Sequence, residues 1–259
     1  MEMIHQLAPH LRRLKLSGVL DTLEKRNQEA VEKQIGYLDF LGMLLLDEVE
    51  RRNMLQLQRR LKKAGSSMDM TLESFDYGFN PTINRQQVKD LASGDFITRK
   101  ENVFFVGPSG VGKTHLASAL AHEACRKGLD VLFLKCSQAL RHLQAGRADG
   151  SWEARLSGFL KPDLLILDDW GLKPFDRSCA DDLYEIISER YEKGSLMITS
   201  NLDLKEWPDL FQDPLLASAA MDRLVHHAHI LTITGASYRA RKMGSRTSKS
   251  APKADETQK

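Results

Sequence analysis

Gly107-Pro108-Ser109-Gly110-Val111-Gly112-Lys113-Thr114 is the stretch on which the fold of this chain turns. It has the form G-x-x-x-x-G-K-[ST]. The apolar, β-branched Val103-Phe104-Phe105-Val106 leads into it, and the helix-forming Thr114-His115-Leu116-Ala117-Ser118-Ala119-Leu120-Ala121 follows. Glycines at these positions let the backbone wrap a phosphate chain with consecutive N–H groups pointing inward. The helix that follows adds the positive end of its dipole. Lys113 is placed to reach the β- and γ-phosphates of ATP, and the Thr114 hydroxyl to ligate Mg²⁺. Residues 107–115, His115 included, form the expected nucleotide-binding set. A Gly-rich surface turn is the plain alternative, and the strand before and helix after argue against it.

Four further apolar runs share the texture of Val103–Val106: Val131–Leu134, Leu164–Leu167, Leu196–Thr199 and Ile230–Ile233, with helical stretches between successive runs. Strand and helix alternating in this way predict an α/β domain built on a five-stranded parallel sheet covered on both faces. Gly128 and Gly194 stand where C-terminal helix caps belong. Ligands of such sheets bind at the carboxyl ends of strands. There the third run ends in Asp168-Asp169, read as a magnesium ligand and a water-activating acid. The fourth ends in Thr199-Ser200-Asn201, whose amide could donate to the γ-phosphate or position water. Arg223 and Arg239 are candidates to complete the site, since a planar, permanently charged guanidinium suits a transferring phosphoryl group.

Working outward, residues 1–75 read as a small all-α domain. Leu7, Leu11, Leu14 and Leu20, then Leu38, Leu41, Leu44, Leu45 and Val49, recur at helical spacings that predict buried faces. Between Arg51 and Lys63 every charge is basic: Arg51, Arg52, Arg59, Arg60, Lys62 and Lys63. The run is either a solvated helix surface or a face that tracks DNA phosphates. Residues 64–102, rich in Gly, Ser and Pro, read as connection plus short helices, and 76–240 as the ATPase domain. Residues 241–259 have the composition of a disordered tail.

Composition narrows the class. Of 259 residues, 42% are hydrophobic and 28% charged, values of globular proteins that exclude a wholly disordered chain. Lys plus Arg is 37 and Asp plus Glu 35, so with a net charge of +2 any basic surface must be local. The longest apolar stretch, Phe40–Leu46, is too short to span a bilayer. Three cysteines without CxxC spacing exclude a disulfide scaffold and suit a reducing compartment, so a cytoplasmic location is expected.

GPSGVGKTHLA, LLILDDWG, RYEKGS, ITSNL, MDRLVHHAHILTITG and SYR occur in that order between residue 4 and about residue 242. In these strings the chain resembles the IstB-like insertion-sequence ATPases, relatives of the DnaC helicase loaders and bacterial initiators in the AAA+ class. The resemblance implies an AAA+ P-loop ATPase domain after a small helical N-terminal domain. It implies that Asn201 is the first sensor, that Arg223 is the finger reaching a neighbouring subunit's ATP, and that Arg239 is the second sensor. The implied role is the helper ATPase of a transposon, which multimerises on double-stranded DNA, deforms it, and recruits and regulates a cognate transposase. Asp169 stands where many AAA+ proteins carry Glu. It is one methylene shorter, which implies slow, assembly-coupled hydrolysis. A DnaC-like replicative helicase loader is the competing reading. A small-molecule P-loop kinase is a more distant one, since Asn201 and Arg223 have no natural place in it.

Overall fold

The apolar-periodic segments at the start of the chain fold as three helices: α1 (Glu2–Arg13), α2 (Ser17–Glu32) and α3 (Tyr37–Ala64). The computed structural model describes residues 2–240 except Met68 and Arg239, with side chains from residue 6 onward. Two compact units part between Arg60 and Leu61, inside α3, rather than near residue 75. Leu61 and Ala64 are buried and belong with the second unit, so the last turn of α3 and the connection after it are part of that body.

The first unit buries less than its leucine periodicity predicts. Its core is Val19, Leu23 and Leu44, with Leu11, Leu16 and Phe40 packed around them. Leu7, Leu14, Leu38, Leu41, Leu45 and Val49 are exposed, contrary to expectation. Successive helical residues are about 100° apart, so the face of α3 that carries Leu44, Asp47 and Glu48 excludes Leu45 and Val49 and leaves Leu41 at its margin. Polar groups close the contact. The buried Glu48 carboxylate accepts from Gly18 N at 2.6 Å, and Arg26 clasps Asp47 at 2.7 and 2.9 Å.

The second unit begins with two short helices, α4 (Arg85–Ala92) and α5 (Asp95–Thr98), and then alternates. The order is β1 (Asn102–Val106), α6 (Lys113–Arg126), β2 (Val131–Lys135), α7 (Cys136–Asp149), α8 (Trp152–Leu160), β3 (Leu164–Trp170), α9 (Arg177–Arg190), β4 (Ser195–Ser200), α10 (Pro214–Val225) and β5 (Ala228–Thr232). All five expected strands are present, in one parallel sheet of order β2-β3-β4-β1-β5. Strands β1 and β4 are buried at every residue because helices cover both faces, as their unbroken apolar runs require.

Two local features depart from the sequence expectation. The third strand continues past Leu167 through both acids to Trp170. There Leu167 pairs with Ile198 and Trp170 with Ser200, so β3 carries an extra residue and bulges, with Asp169 left-handed at φ 60°. At the turns, Gly128 takes the left-handed conformation expected of a cap, at φ 90°. Gly194 does not: Glu192 is the left-handed residue there, at φ 56°. Gly194 instead makes room for the Arg190 guanidinium, whose Nη2 lies 2.6 Å from where a Cβ would project.

Candidate nucleotide site

The loop from Gly107 to Gly112 joins the end of β1 to the start of α6 at the carboxyl edge of the sheet. Gly107 is required by close approach as well as by phosphate, since a Cβ there would overlap the Ile233 carbonyl oxygen. Lys113 is buried, and its Nζ donates at 2.7 Å to Gly107 O, to Pro108 O and to Asn201 Oδ1. Lys113 and Asn201, 88 residues apart in sequence, thus meet directly. With its oxygen so engaged, the Asn201 amide nitrogen is left to donate outward.

The acidic pair is divided by the bulge. Asp168 is 3% exposed, and its Oδ1 accepts from Thr114 Oγ1 at 2.9 Å and from the Thr199 hydroxyl. Thr199 Oγ1 in turn accepts from Asp169 N at 3.1 Å, so one hydroxyl braces both acids. The Asp169 side chain turns the other way and accepts from Lys135 Nζ, at the end of β2, at 3.0 Å. Ser200 is structural, donating to Trp170 O at 3.0 Å beside the bulge.

The Thr114 hydroxyl and the Asp168 carboxylate supply the hard oxygens that Mg²⁺ takes, and phosphates and water ordinarily complete such a shell. Among the described residues no cluster of three or more His, Cys, Asp or Glu could hold a metal without them. The donor set therefore fits a cation brought in with a triphosphate.

A cavity of about 300 Å³ opens on the loop and is bordered by Asp169, Asn201 and His115. Its other wall is not apparent in the sequence. Phe75 and Phe79, from the connection before α4, and Tyr238, from beyond β5, line it. Phe79 and Tyr238 meet edge to face at 5.0 Å, and Phe75 meets His115 at 5.1 Å. His115 Nε2 also lies 3.0 Å from Thr71 O. The aromatic density of Phe75-Asp76-Tyr77-Gly78-Phe79 is the signal that points to it, masked by the Gly and Pro around it.

Arg223 is not part of this cavity. It sits in the last turn of α10, with Nη1 donating to Ala219 O at 2.9 Å and the guanidinium 5.4 Å from the Tyr184 ring centre. The neighbouring Leu224 O accepts from Asn102 at the start of β1, whereas the phosphate loop leaves the end of β1. Five residues of strand, about 16 Å, separate those levels. Arg239 lies outside the described residues. Within the basic run, Arg51 pairs with Asp21, Arg52 with Glu48 at 2.7 Å, and Lys63 with Asp130 at 3.2 Å, while Arg59 and Lys62 are exposed. No helix among the described residues is long and apolar enough to cross a membrane.

The chain is similar to known proteins over nearly its whole length. It is 43% identical over 238 residues to an insertion-sequence ATP-binding protein of Mycobacterium tuberculosis, covering 92% of this chain and 95% of that one. It is 38% identical over 256 residues to the IS21 ATP-binding protein of Pseudomonas aeruginosa, covering 98% and 97%. In fold it resembles the DnaC helicase loader, with TM-score 0.56, 23% identity and coverage of 64% and 97%. It also resembles AMPPCP-bound DnaA of Aquifex aeolicus, with TM-score 0.54, 21% identity and coverage of 73% and 57%. The second unit thus has the AAA+ P-loop fold of these proteins. A profile of the family described as IstB-like ATP binding protein matches residues 9–246, and the chain, an ATPase, belongs to that family.

Proposed function

We propose that this ATPase is the helper of a transposon: it multimerises on double-stranded DNA with ATP, deforms the duplex, and recruits and regulates a cognate transposase. The remoteness of Arg223 from the phosphate loop of its own chain carries the multimeric part of this reading. A guanidinium at the opposite level of the sheet cannot serve its own Lys113 site, but it can serve that of a neighbour. The insertion-sequence names of the relatives support the transposon.

In the site so completed, backbone N–H groups of the loop and Lys113 hold the β- and γ-phosphates. Thr114 and Asp168 would hold Mg²⁺, which supplies charge neutralisation on the phosphates. Asp169 accepts the proton of the attacking water, Asn201 orients that water or the γ-phosphate, and the Arg223 guanidinium of an adjacent subunit steadies the transferring oxygens. Arg239 is proposed as the second sensor by resemblance. The basic run of α3 tracks DNA phosphates, through Arg59, Arg60 and Lys62 first because Arg51, Arg52 and Lys63 already have acidic partners.

Imaging the protein with duplex DNA and a non-hydrolysable ATP analogue tests the reading. A multimer on a bent duplex is the expected result. Monomers on straight DNA would overturn it. For the trans role, Arg223→Ala subunits mixed with Lys113→Ala subunits should regain ATPase through composite sites. Mixed multimers without activity would sink that assignment.

A further inference from the structure

Among the described residues, every α-helix except α8 is followed by a residue in the left-handed region. Glycine fills that position after α4 (Gly94, φ 77°) and after α6 (Gly128, φ 90°), where it avoids the steric cost that any side chain brings. At three other helix ends of the second unit the same backbone conformation is imposed on larger residues. They are Lys100 after α5 (φ 61°), Glu192 after α9 (φ 56°) and His227 after α10 (φ 55°). These three lie far apart in sequence, yet all line one small pocket, and Arg223 lines it too. Side chains retained where glycine would be cheaper, and gathered at one place, mark a face kept for what those side chains do.

The chemistry of the face is cationic. Lys100, Arg223, His226 and His227 border it, and among the described residues no carboxylate pairs with Lys100 or Arg223. The one acid among the lining residues, Glu192, stands next in sequence to Tyr191, whose hydroxyl meets His226 Nδ1 at 2.9 Å. Tyr191 therefore positions the histidine pair, whose rings lie 3.9 Å apart.

We propose that Lys100 and His227 act in trans beside Arg223, facing the triphosphate held by the phosphate loop of a second copy of this chain. Lys100 supplies a second positive charge to the transferring phosphoryl group, and His227 a hydrogen-bond donor. The inference rests on the reading of Arg223 as a trans residue and adds two residues to it.

Glycine substitution separates the face from the backbone strain. Lys100→Gly should keep or raise Tm, by up to about 2–4 °C as the left-handed turn relaxes, and lower multimer ATPase turnover by about 10²-fold. Gln34→Gly is the control, because Gln34 has the same left-handed conformation (φ 51°) in the first unit and no place at this face. Its turnover should stay unchanged. Mixing then decides between trans and cis. Lys100→Gly subunits should be complemented by Lys113→Ala subunits, which bring an intact face to an intact phosphate loop. They should not be complemented by Arg223→Ala subunits, because every interface then presents a face that lacks either Lys100 or Arg223. His227→Gly should follow the same pattern.

Full turnover in Lys100→Gly would overturn the proposal, as would an equal loss in Gln34→Gly. Rescue by Arg223→Ala would also overturn it, as would failure of rescue by Lys113→Ala in multimers shown to be mixed. If Arg223→Ala is itself not complemented by Lys113→Ala, the trans reading of Arg223 falls, and this inference falls with it.

Discussion

Thr199 is the residue on which the two acids depend. It is buried, its hydroxyl donates to Asp168 and accepts from Asp169 N, and it therefore holds Asp168 beside Thr114 and fixes the backbone that turns Asp169 towards Lys135. Thr199→Val, nearly isosteric, should leave ATP affinity within a few-fold and cut turnover by about 10–100-fold, the worth of a hydrogen bond to a charged group. Steady-state ATPase alongside nucleotide titration checks it. Lys113→Ala should abolish nucleotide-dependent assembly. Asp169→Asn should retain binding and lose about 10²–10⁴-fold in hydrolysis, because the amide cannot accept a proton. Equal loss of affinity in both variants would dismiss that division of roles. The phosphate loop, Asp168 and Asn201 are legible in the sequence because each sits at a strand end where residue type speaks for itself. Thr199 is harder to read, since its importance lies in a bulge that no spacing reveals. The exposed Leu38, Leu41, Leu45 and Val49 mislead because periodicity marks an apolar face and not what covers it.

Among elements, α9 is tied to the strand starts through one side chain. Arg190 is buried with its pKa drawn down to about 10 by desolvation, and its guanidinium donates to the carbonyls of Phe159, Leu160, Pro162, Asp163 and Ser195. These lie at the end of α8, at the start of β4 and in the turn before β3, so one side chain ties a helix end to two strand starts, sharing the Asp163 oxygen with Ser195 N. Arg190→Met keeps the bulk and strands those oxygens. A loss of about 3 kcal/mol or more is expected, seen as a fall in Tm of about 6–12 °C. An unchanged melting curve would show that water replaces the guanidinium without cost. The parallel sheet itself is readable from five apolar runs alternating with helices. The unit boundary within α3 is not, because a continuous helix gives no break in composition where its packing partner changes.

For the whole molecule, DNA binding should be largely independent of sequence and steeply weakened by salt. Repetition of the α3 run along a duplex neutralises a few phosphates per subunit, each releasing counterions. ATP, by promoting the multimer, should raise apparent affinity through multivalency. Replacing Arg59, Arg60 and Lys62 by Ala should flatten the log–log salt slope by about 0.9 for each phosphate left without a cation and leave ATP binding intact. An unchanged slope would place the DNA surface elsewhere. The phosphate loop, meanwhile, is stitched to the chain that follows β5, the edge strand beside β1: Ile233 N donates to Val106 O at 2.8 Å and Tyr238 N to Gly110 O at 3.0 Å. Whatever fills the loop therefore changes how often those two amides open to solvent. Deuterium uptake at Ile233 and Tyr238 becomes a clock for nucleotide occupancy, readable far downstream of the loop in sequence and without any label on the nucleotide.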